Sequence, residues 1–159
     1  MPPRRHASAD ALAVPSEVKG FISLNQRGNW LAAQTRPDLS ILVSSNQQKM
    51  PRPTVGGIRR GNMLARRAQH FADLEIRYPS IPIHELTFIL HSDYSSKEMS
   101  NMGYTQGGYI IGVTNRDMEK GRVSPWSPSI WRSYRVKRVV KSTLAGESSV
   151  MTDGLGHLE

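Results

Sequence analysis

From residue 17 onward the apolar positions recur with helical spacing. Phe21, Leu24, Gly28 and Leu31 are separated by three, four and three residues, which is one side of a helix. The Arg36-Pro37 step interrupts it, because a residue before proline is driven out of the helical region. A second short helix is predicted over 38–47, with Leu39, Leu42 and Val43 on one face, and Met50-Pro51-Arg52-Pro53 reads as a linker. Thr54 can cap a third helix in which Gly57, Gly61, Leu64, Ala68 and Phe71 share a stripe. Gly56, Gly57 and Gly61 each cost about 1 kcal/mol relative to alanine, so the start of that helix must lean on packing. Past Tyr78-Pro79 the period shortens. Residues 86–90 are rich in strand formers and run into His91-Ser92-Asp93. Residues 107–113 read as a second strand, 115–121 as a polar turn and 123–127 as a short third strand, where Pro125 argues for an edge or a bulge. Ser142-Thr143 then opens a helix carrying Leu144, Met151, Leu155 and Leu158. Residues 1–17 are aperiodic and rich in Pro, Ala, Ser and Arg, and read as a disordered leader.

The order is three helices, three strands and one helix, an α+β arrangement with no internal repeat. The chain has 159 residues, of which 38% are hydrophobic. It has no cysteine, which excludes a disulfide framework, a thiolate zinc site and a cysteine nucleophile. No apolar run approaches the roughly 20 residues that span a bilayer, so no membrane is expected, and an intracellular setting, cytoplasmic or nuclear, is favoured. The first residues have no apolar core of a secretory signal.

Charge changes the picture more than composition does. The formal net charge is +8, and it is uneven: residues 1–80 carry 12 Lys/Arg against 5 Asp/Glu, residues 81–159 carry 9 against 8. An excess of that kind in one half points to a polyanionic partner, nucleic acid first. Arg59, Arg60, Arg66 and Arg67 project from the third predicted helix. At about 100° per residue most of them lie off the apolar stripe, facing solvent or a phosphate backbone. Arg135, Lys137, Arg138 and Lys141 precede the last helix and read the same two ways. Contacts to phosphate would make binding fall with salt.

Two acids stand out as candidate chemistry. Asp93 closes the first predicted strand, and Glu147 lies in the first turn of the last helix. Carboxylates so placed can hold Mg²⁺, which takes oxygen ligands, and a pair of such ions can activate water against a phosphodiester. The same two residues also read as a turn former and a helix-dipole partner.

Several stretches resemble copia-type retrotransposon polyproteins. Asn29-Trp30-Leu31-Ala32-Ala33-Gln34-Thr35-Arg36-Pro37-Asp38-Leu39-Ser40 is similar to the family's "NWLATQTRPDLS", which follows the reverse transcriptase palm. His91-Ser92-Asp93-Tyr94-Ser95 resembles the "SDAS" opening of its ribonuclease H domain, and Gln106-Gly107-Gly108-Tyr109-Ile110-Ile111-Gly112 its "QGGYLIG". Ser124-Pro125-Trp126-Ser127 resembles "PISWSS". Lys137-Arg138-Val139-Val140-Lys141-Ser142-Thr143-Leu144-Ala145-Gly146-Glu147 resembles "KRVVRSTLAAE", with Gly146 where the family has alanine. The five stretches occur in the family's order, from about residue 18 to 159.

The resemblance implies a helical connection over 18–78 that touches template–primer, followed over 84–159 by the front half of a ribonuclease H-like domain, a truncated β-β-β-α unit. It places Asp93 and Glu147 on the first two catalytic carboxylates, with Mg²⁺ as cofactor and the RNA strand of an RNA–DNA hybrid as substrate. The family's third acid follows the helix that ends this chain. Asp153 lies about 120° around the helix from Glu147 and does not replace it. The expectation is therefore a polyprotein fragment of ribonuclease H ancestry without activity of its own. The alternatives are a non-catalytic basic module that binds nucleic acid, and a nuclease completed by another chain.

Overall fold

The computed structural model describes residues 8–95, 105–137 and 142–158. The chain divides into two compact units between Leu74 and Glu75. The class is α+β: helices, then a three-stranded antiparallel sheet in the order β1-β2-β3, then a C-terminal helix.

In the first unit, α1 spans Pro15–Gln34. Proline suits the first helical position because its missing N–H has no acceptor there. The Val14 N–H donates to Glu17 Oε2 at 3.0 Å, holding the entry turn. A 3₁₀ turn at Pro37–Leu39 leads into α2, Ser40–Lys49. Thr54 Oγ1 accepts from the Gly57 N–H at 3.1 Å and caps α3, Val55–Gly61, and α4 follows over Met63–His70. Ala32, Leu39, Val43 and Leu64 form the buried core, with Leu24, Leu31, Leu42 and Ala68 packed against it. Two glycines let the helices close. A methyl group on Gly28 would overlap the Leu64 side chain, and one on Gly61 would overlap the Phe21 ring.

The expected single helix from Thr54 to Phe71 is two. Asn62 ends α3 and begins α4, at a Gly61-Asn62 step of low helix propensity that must also accommodate Phe21. The break splits the expected stripe: Gly57, Gly61 and Leu64 stay buried, while Phe71 is 43% exposed. The leader also differs from expectation where it is described. The Ala13 N–H donates to Pro53 O, and the Val55 and Gly56 N–H groups donate to Ala11 O and Ala9 O. The first-turn N–H groups of a helix have no partner inside it, and here leader carbonyls supply partners for two of them. Residues 1–7 of the expected leader lie outside the described residues.

In the second unit, β1 (Leu86–Ser95) pairs with β2 (Gln106–Asn115), Asp93 opposite Gly108 and Tyr94 opposite Gly107. β3 is Trp126–Arg135, not the short strand expected over 123–127. Its register shifts between Ile111 and Gly112, which face Ile130 and Pro128. Pro128 thus sits beside a bulge, where the ladder is already broken. α5, Thr143–Leu155, starts at the Ser142 cap, whose Oγ accepts from the Ala145 N–H.

The face that α5 turns to the sheet is not the one the apolar pattern suggested. Gly146, Val150 and Gly154 are buried, whereas Leu144 is 75% exposed and Met151, Leu155 and Leu158 are also exposed. The large side chains belong to the strands. A methyl on Gly146 would overlap the Tyr94 ring, and one on Gly154 would crowd Leu90 at 2.7 Å. The helix therefore presents small residues and turns its bulky ones outward. Asp153, exposed on α5, accepts a hydrogen bond from the Tyr134 hydroxyl of β3. Burial, then that hydrogen bond, raises the Tyr134 hydroxyl well above the ordinary tyrosine range.

Candidate nucleic-acid interface

Three of the four arginines assigned to the first unit come together. Arg59 and Arg60 end α3 and Arg66 lies one turn into α4, so the break at Asn62 sets the two helices' basic groups around one open hollow. The hollow measures about 470 Å³, and Asn62, Met63, Gly56 and Ala9 complete the described lining, which contains no carboxylate. Gly56 approaches the Ala9 carbonyl so closely that a methyl there would lie 3.0 Å from it.

Lys49, at the end of α2, reaches the start of α3. Its chain passes near Gly57, and its Nζ donates to Ser45 Oγ at 3.2 Å. Burial, and then the charge of Arg60, lowers its pKa. The sequence reading did not single Lys49 out, because it sits at the end of α2 and meets Arg60 only in the folded unit.

Arg67 has a different role. Asp38 accepts from Arg36 Nε at 2.8 Å, from Arg36 Nη2 at 2.9 Å and from Arg67 Nε at 3.2 Å. Arg36 also donates to Ala68 O, tying the end of α1 to α4. Burial would raise the Asp38 carboxyl, but the two guanidinium groups outweigh it and hold the carboxyl below its usual range. The hydrogen bond to Asp38 correspondingly raises Arg36 against desolvation. The Arg67 guanidinium lies 5.3 Å from the Phe71 ring centroid. It is a structural arginine as well as a surface one.

In the second unit, Arg135 ends β3 and Lys137 follows it, both exposed. Arg138 and Lys141 lie outside the described residues.

The two candidate acids are exposed and leave from different surfaces. Leu90 and Tyr94 of β1 point toward α5, as their contacts with Gly154 and Gly146 show. Strand side chains alternate, so Asp93 points to the opposite face, with His91, whose ring meets that of Trp126 at 6.2 Å. Glu147 rides on α5 beside Gly146, over the Tyr94 face. Among the described residues no group of three or more His, Asp or Glu side chains is placed to hold a metal ion. No metal-dependent step follows from the described arrangement.

Among the described residues no helix is long and apolar enough to cross a membrane. No protein-family model, curated protein or solved structure matches the chain.

Proposed function

We propose that this chain is part of a copia-type retroelement polyprotein and that its helical unit holds nucleic acid, of the RNA–DNA hybrid or template–primer kind, without cutting it. The family assignment rests on the five ordered stretches given above. The binding reading rests on one observation, the open hollow in which Arg59, Arg60 and Arg66 meet. A surface of that kind neutralises backbone phosphates and releases their counterions, whatever the base sequence. The second unit, of ribonuclease H ancestry in this reading, contributes Arg135 and Lys137.

The test is binding of a labelled RNA–DNA hybrid by the full chain across a salt series. Affinity falls with a log–log slope of about −0.7 to −0.9 per neutralised phosphate, and replacing Arg59, Arg60 and Arg66 by alanine together flattens the slope by roughly 2 to 3. Absent binding at low salt, or binding indifferent to salt, overturns the reading. The same hybrid incubated with Mg²⁺ stays intact. Cleavage by the parent chain that Asp93→Asn abolishes would favour the completed-nuclease alternative instead.

A further inference from the structure

The basic hollow does not end at Arg66. Met63 and Arg66 also line a second groove of about 460 Å³, whose apolar surface comes from Ile41, Leu42 and Phe71 and whose other lining residues are Asp38, Arg67 and His70, the Asp38 carboxylate being engaged by Arg36 and Arg67. Met63, Ile41 and Phe71 are all substantially exposed. Two neighbours contact the Phe71 ring: the Arg67 guanidinium, bonded to Asp38, lies over it, and the His70 ring meets it edge-on with centroids 4.6 Å apart. A cationic hollow and an apolar, aromatic groove therefore share two residues and form one continuous surface.

We propose that this surface binds a single-stranded segment of nucleic acid, with a phosphodiester in the arginine hollow and an unpaired base in the groove against Phe71. The inference rests on the nucleic-acid reading above and goes further, naming the strand state that the site prefers. Positive charge on one side and an aromatic platform on the other is the combination that single strands need, because an unstacked base offers its π-face while its backbone tracks the cations. A base inside a duplex has both faces covered by its neighbours, so a duplex can use the hollow but not the groove. Every base has a π-face, so little sequence preference is expected.

Three labelled probes separate the possibilities on the full chain: an oligonucleotide of mixed sequence, an abasic strand of the same length and charge, and the hybrid duplex. The intact strand should bind about ten- to a hundredfold tighter than the abasic one, the range that one stacked base supplies. Phe71→Ala should bring the intact strand to the abasic level and leave the abasic strand unchanged, and Phe71→Trp should keep the preference. Equal affinity for intact and abasic strands overturns the base contact and leaves the arginine reading standing. So does a Phe71→Ala variant that weakens both strands alike, or a groove that takes an acidic amphipathic peptide while the intact strand gains nothing over the abasic one. Failure of the parent chain to bind any of the three probes overturns both readings.

Discussion

Gly28 sits in the middle of the 20-residue α1, where helix propensity alone says alanine should be better by about 1 kcal/mol. The structure predicts the opposite sign. A Cβ at Gly28 would overlap one Leu64 methyl and lie 3.0 and 3.2 Å from Leu64 Cγ and the other. Leu64 is 1% exposed and wedged among Ala32, Leu39 and Val43, so it has nowhere to retreat. Overpacking a filled core costs about 1–3 kcal/mol, and one overlapped carbon with two more crowded beside it puts this case near the top of that range. After the propensity gain, Gly28→Ala should destabilise the chain by roughly 2 kcal/mol. Chemical denaturation of the full chain, followed by helical circular dichroism, reads this directly. Leu64→Ala supplies the control, because it opens the space the new methyl needs. In that background Gly28→Ala should stabilise by about 1 kcal/mol, giving a coupling energy near 3 kcal/mol, the upper end for residues in contact. If Gly28→Ala stabilises the parent chain, the helix contact described here is wrong.

Other consequences are as concrete. Asp38→Asn leaves Arg36, whose side chain is only 7% exposed, without its counter-charge, and should cost about 3 kcal/mol or more. The Asp38 carboxyl is held below its unfolded value of about 3.9, so its contribution is full above that pH and lost as the pH falls through the lowered folded value. The parent should therefore lose more stability than the variant on acidification, and parallel acid profiles would refute the pairing. Gly146→Ala should destabilise α5 although alanine is the better helix former, and in a Tyr94→Ala background it should stabilise. Thermal melts of the four proteins decide this. Tyr134 should not ionise where ordinary tyrosines do, near pH 10. A spectrophotometric titration of Tyr134→Phe through that range should release as many phenolic protons as the parent. One fewer would show that the partly buried, Asp153-bound hydroxyl titrates normally.

The helices of the first unit were legible because their apolar positions recur at helical spacing and Pro37 and Thr54 punctuate them, although the first begins at Pro15, inside the expected leader. The arginines on α3 and α4 were legible for the same reason, as residues off a stripe. The break at Asn62 was not, since a helix-period pattern runs straight through it, and with it went the exposure of Phe71 and the groove. The pairing of the leader with residues 53–56 uses main-chain groups only and leaves no mark in side-chain pattern. β3 was misplaced because Pro125 and Pro128 hid a strand whose alternation resumes only after the bulge. On α5 the visible leucines and methionine drew attention to the wrong side. A helix that packs through glycine against strand tyrosines carries its signal in what is missing. Asp93 and Glu147 were placed on the right elements. The sheet face each would occupy depends on strand phase relative to a helix that sequence spacing does not fix.

Met63 and Arg66 belong to both the cationic hollow and the aromatic groove. A ligand that spans the two cannot have its contacts apportioned residue by residue, since any change at either position disturbs both ends of the same grip. Alanine scans across this surface should therefore look non-additive even when every side chain acts locally, and the strength of that departure would measure how rigidly the shared wall of α4 joins the two halves.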